Sequence, residues 1–143
     1  MKELYLCLIN ILSTISTLKW IDLDKGQLTA TTRPAIAFPA CLIKMEIVKA
    51  ENQTRTTQIL ELRVTIRLVF TYIGETALQT PEITRNQSLE YLDTCQAVYL
   101  AIQTGLNHQN RPFERLSQTE QEADGIKAVN MLFKTVLLDQ SAN

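Results

Sequence analysis

The sequence predicts an α+β fold: a two-layer sandwich whose mainly antiparallel sheet carries two helices on one face. Three observations carry this. Leu60, Leu62, Val64, Ile66, Leu68, Phe70 and Tyr72 fall at every second position of residues 58–73, and a period of two is that of a strand with one dry face. Leu4, Leu8, Ile11, Ile15 and Leu18, and again Leu89, Leu92, Cys95, Val98, Tyr99 and Ile102, recur at the three- and four-residue spacing of a helix stripe. The order reads helix, short strand or turn, strand, strand, helix, strand, strand, and a sheet with one apolar face needs a helical layer over it.

The first helix is expected over residues 2–17, with Tyr5 and Leu12 widening its stripe and Ser13, Thr14, Ser16 and Thr17 weakening its end. Trp20 and Leu23 suggest a short strand or packed turn, followed by a turn at Asp24-Lys25-Gly26. Residues 29–34 form a polar loop ending at Arg33-Pro34, where the proline pushes Arg33 out of helical conformation. The next strand spans residues 35–49 and breaks near Pro39, which places it at an edge or a bulge. The polar connection 50–57 makes a hairpin with the long alternating strand, so the two pair antiparallel.

Residues 74–85 read as a polar linker. The second helix follows to about Thr104, with Thr84 and Gln87 spaced as a capping box. Residues 113–122 are a polar edge strand or arm, Asp124-Gly125 a hairpin turn, and residues 126–138 a closing strand with Val129, Met131, Phe133 and Leu137 on one face.

The 143 residues fit a single domain, 1–143, long enough to bury a core unaided. A net charge of −1 provides no global field toward nucleic acid or anionic membrane. The stretch 4–15 is too interrupted for a signal peptide and too short to span a bilayer. Cys7, Cys41 and Cys95 are scattered through apolar stretches. Their odd number and spacing suit free thiols in a reducing compartment rather than a disulfide or zinc framework.

No catalytic constellation is legible. His108 is the one histidine, and a loop histidine needs a nucleophile and an orienting partner to act as a base. Asp22 and Asp24 near Trp20 suit a turn better than a metal site, because no oxygen shell surrounds them. The four glycines fit no phosphate-binding loop. The polar positions Glu61, Arg63, Thr65 and Arg67 lack the aromatics on which RNA bases would stack. Together with Lys44 and Glu46 they form the polar face of the central hairpin. That face is either solvated, with cross-strand ion pairs, or a contact surface for a partner or sister copy. Arg33, Lys44, Glu46, Glu61, Arg63, Arg67 and Arg85 are therefore the candidate interface residues.

The stretches KELYLCLINIL, RPAIAFPACLIKMEI, the alternating strand, SLEYLDTCQAVYLAIQ and GIKAVNMLFKTVLL occur in an order that resembles the small phage tail-terminator or tail-completion proteins of the lambda minor-tail-protein U type. KWIDLDKGQL and RPAIAFP also resemble segments of prophage proteins from Bacteroides-like bacteria. The resemblance covers nearly the whole chain. It implies a virion protein, assembled in the host cytoplasm, that forms a ring of usually six copies at the head–tail junction. The implied partners are the tail tube protein and a neck or head-completion protein. It implies no enzymatic step, no cofactor, no membrane and no sequence-specific nucleic acid. The alternatives are another head–tail neck connector, a small adaptor that takes a peptide at an open sheet edge, or an enzyme with a site near Trp20, Asp22 and His108.

Overall fold

The computed structural model describes residues 1–28, 36–71, 73–123 and 125–143. Arg33, Tyr72 and Asp124, and with them the 29–34 loop and the Asp-Gly turn, lie outside the described residues. Helix α1 is Lys2–Leu12, strand β1 Trp20–Leu23, β2 Ala40–Asn52 and β3 Gln58–Phe70. Helices α2 (Glu82–Ser88) and α3 (Glu90–Gln103) follow, then β4 (Glu114–Ala123) and β5 (Ile126–Asp139). The strands form one sheet in the order β1-β2-β3-β5-β4. β1 runs parallel to β2, and every other pairing is antiparallel. This is the expected α+β architecture.

The alternation of β3 does what its period demands. Leu60 to Phe70 at every second position are buried beside Val129, Met131, Phe133 and Leu137 of β5 and Cys41 and Ile43 of β2. Leu4, Leu8 and Leu12 of α1 and Cys95, Val98 and Ile102 of α3 close this layer from above. Burial of this apolar surface is the main drive for the fold.

Three expectations are corrected. First, α1 stops at Leu12, short of residue 17. The Ser13 and Thr14 hydroxyls donate to the Asn10 and Ile11 carbonyls, both at 2.8 Å, a local bond that competes with further helix. Second, the expected second helix is two helices, and the 74–85 linker contains most of the first. α2 begins after Pro81, so Thr84 is an interior residue and not a cap. The helix turns at Leu89, whose amide is shared between the Arg85 and Asn86 carbonyls at 3.1 and 3.2 Å. Third, Leu92 is exposed, and Thr94 takes the buried position beside Cys95. Gly74 accounts for the tight entry to this region. Its φ is +103°, and a Cβ there would collide with the Ser88 hydroxyl.

Candidate functional interface: the open face and two free edges

The second face of the sheet carries no helix among the described residues. At one end the chain covers it with its own loop: Ala40, Leu42 and Val69 are buried beneath Leu28, Ile36 and Phe38. Elsewhere the face is mixed, with half-buried Ile59, Leu132, Val136 and Leu138 set among charged and amide side chains. Lys44, Glu46, Glu61, Arg63 and Arg67, five of the seven candidate interface residues, share it, because cross-strand partners in register point to the same side. Arg85 lies apart on α2, where its guanidinium donates to the Leu78 carbonyl at 3.3 Å.

Several charges on this face are paired within the chain. Arg63 donates to Glu61 at 2.7 Å, and this bond foremost holds the Glu61 carboxyl below the ordinary range. Lys44 lies 3.5 Å from Glu46. A polar chain crosses three strands. Arg67 lies 3.5 Å from Asp24 and donates to Asn130 at 3.0 Å, and Asn130 donates to Gln121 at 3.2 Å. Arg63 faces Lys134 directly across β3 and β5, a like-charge pair that the nearby Glu61 offsets.

Besides the short outer edge of β1, the sheet has two longer unpaired borders among the described residues. β1 pairs only with Ala40–Ile43 of β2, so the outer border of Lys44–Asn52 is bare. β4 pairs with β5 alone, and Gln103 caps one outer amide, that of Arg115, at 2.9 Å. Each border contains a bulge, at Val48 in β2 and at Leu116 in β4. Edge strands commonly use bulges and charges to discourage pairing. Here the bulged residues are apolar and exposed: Val48 by 50% and Leu116 by 42%, with Ile47 exposed by 49%.

The helix face holds a cleft of about 840 Å³ lined by Ile15, Phe38, Phe70 and Tyr91. A second cleft of about 520 Å³ shares Tyr91 and reaches Lys127. Lys127 is fixed there by Glu120 at 2.9 Å, Glu122 at 3.4 Å and the Tyr91 ring at 4.9 Å. The Glu120 carboxylate foremost holds its ammonium above the ordinary range. No signal in the sequence marked this cluster, because Tyr91 and Lys127 meet only through the tertiary fold.

The residues weighed for chemistry do not converge. His108 lies 3.5 Å from Glu3, at the start of α1. Asp22 instead accepts from Lys25 at 3.2 Å, Gln27 at 3.3 Å and the Leu23 amide at 2.8 Å. Burial pushes its carboxyl up, but these bonds outweigh that and hold it below the ordinary range. Among the described residues no three His, Cys, Asp or Glu side chains gather as a metal site. Among the described residues no helix is long and apolar enough to cross a membrane.

No family matches the sequence, and no curated protein matches it. The fold is similar to that of a chain in a solved structure titled "Virion of native gene transfer agent (GTA) particle". The two share a TM-score of 0.60 over 96% of each chain, at 10% sequence identity.

Proposed function

We propose that this chain is a structural virion protein: a tail terminator, or a closely related head–tail completion protein, that acts by closing a ring of copies at the head–tail junction. The observation that carries this reading is the shared fold with a chain of a virion particle over 96% of both chains. Fold similarity is an analogy for function, and the interface gives it physical support. Among the described residues the sheet offers a helix-free face of mixed polar and apolar side chains and two bare borders at opposite sides. A head-to-tail contact needs two different surfaces on one molecule, and such contacts close into rings. In this reading the protein is not an enzyme, takes no cofactor, and meets the tail tube protein on one side of the ring and a neck protein on the other. Six copies is the expected number.

Mass measurement and negative-stain imaging of the purified chain test this, with and without isolated tail tubes. The expected result is a discrete ring, six-fold in projection, that seats on one end of a tube. A chain that remains monomeric at high concentration and ignores tube ends overturns the reading. That outcome favours the second reading, an adaptor that takes an extended peptide along the bare border of β2.

A further inference from the structure

We infer that the bare half of β2 in one copy pairs, antiparallel, with the outer border of β4 in the next, joining the sheets of successive copies into one barrel wall. This rests on the ring reading above and adds to it the contact that closes the ring.

Each step from β2 to β3, β5 and β4 is antiparallel. β2 and β4 therefore run in opposite senses within one copy. Rotation about a ring axis preserves those senses. A β4 brought beside the next copy's β2 is thus automatically antiparallel to it, the more stable arrangement.

β1 occupies the border of β2 up to Ile43, so pairing is confined to Lys44–Asn52. Along the sheet, Lys49 is level with Glu61, whereas Thr119 is level with Asn130 and Arg67. Joining Lys49 to Thr119 therefore slides each copy by about six residues relative to its neighbour. At a rise of about 3.3 Å per residue and a spacing of about 4.8 Å over four strands, that slide gives a strand tilt of about 45°. Closed barrels require a tilt of roughly 35–45°. The tilt follows from one copy and holds for any number of copies in the ring.

In that register Glu46, Lys49 and Glu51 face Gln121, Thr119 and Ser117, so no like charges are opposed. A slide shorter by two residues would set Glu51 against Glu114. The bulged residues Val48 and Leu116 then lie on the seam, where the neighbouring strand covers apolar surface that the single chain leaves exposed. The helices lie on one face of the sheet, and we set that face outside the closed wall. Arg63, Glu61, Lys134 and Lys44 then line the bore.

Disulfide trapping tests the contact. Cys7→Ser removes the one partly exposed thiol. Burial pushes the thiols of Cys41 up to about 12 and Cys95 up to about 11, which keeps them out of exchange. In that background Lys49→Cys is combined in turn with Ser117→Cys, Thr119→Cys and Gln121→Cys. The four positions share one sheet face. Oxidation of the Lys49→Cys/Thr119→Cys variant is expected to give a ladder of covalent multimers up to the full ring, at least several-fold above either flanking pair, while each single variant stays uncrosslinked. Rings that form without a ladder from any pair overturn the seam and leave the ring reading standing. Dimers from Lys49→Cys alone also overturn it, because they mean that β2 pairs with another β2. Monomers at every concentration overturn both readings.

Discussion

The two halves of β2 are one strand in two environments. Ala40–Ile43 is flanked by β1 and β3 and buried on both faces, by the helical layer on one side and by Leu28, Ile36 and Phe38 on the other. Lys44–Asn52 has β3 alone beside it and is largely exposed. Both halves are β-sheet, and hydrophobicity does not separate them sharply: Met45, Ile47 and Val48 are as apolar as Cys41 or Ile43. The neighbours separate them. A strand residue contributes to stability through what covers it, more than through its own propensity.

The sharpest test contrasts two isoleucines on the same face. Ile43→Ala removes a fully buried side chain, and urea unfolding of the dilute chain should show a loss of about 2–5 kcal/mol. Ile47→Ala should cost less than about 1 kcal/mol under the same conditions. Equal losses would break the comparison. Next in size is Asn107. It sits beside Thr135, which shares the level of Leu62 and Ile47, and it donates to the Thr135 hydroxyl at 2.8 Å and the Val136 carbonyl at 3.0 Å. Asn107→Ala should lower stability by about 1–3 kcal/mol, because the exposed half of β2 faces a well-sealed part of β3 and β5.

Smaller effects sharpen the contrast with pH. The Asp22 carboxyl on β1 lies below its unfolded value of about 3.9. Its contribution is therefore complete above that value and lost as pH falls through the lower folded one. Asp22→Asn should flatten the acid limb of the stability–pH curve, by about 1 kcal/mol or less at neutral pH. An unchanged acid limb would mean that β1 is held without it. Smallest of all, Lys44→Ala or Glu46→Ala breaks an exposed pair and should stay within about 0.5 kcal/mol in thermal melts.

Local pattern made much of this fold legible in the sequence. The period of β3 and the stripes of α1 and α3 named most of the core, and the polar run 113–122 read correctly as a border strand. Five interface candidates fell on one face because alternation alone assigns sides. The turn at Leu89 was not legible, since every residue around it suits a helix. Neither were the features that come from distant pairing. β5 sits between β3 and β4, β1 is parallel to β2, and Leu28, Ile36 and Phe38 pack over Leu42 and Val69. The bare borders follow from that strand order. The lengths at which β1 stops and β2 continues acquire meaning only once the strands are side by side.

The placement of β5 has a consequence for how the molecule is made. Its register with β3 joins residues more than half the chain apart, such as Gln58 and Asp139. β4 touches the sheet through β5 alone. During synthesis neither β3 nor β4 has its inner neighbour until residue 139 has left the ribosome. A nascent chain stalled before that point exposes the apolar side of β3 and invites a chaperone. In the proposed ring, a chain that lacks β5 therefore has no anchored β4 to offer its neighbour, although its β2 border is already in place.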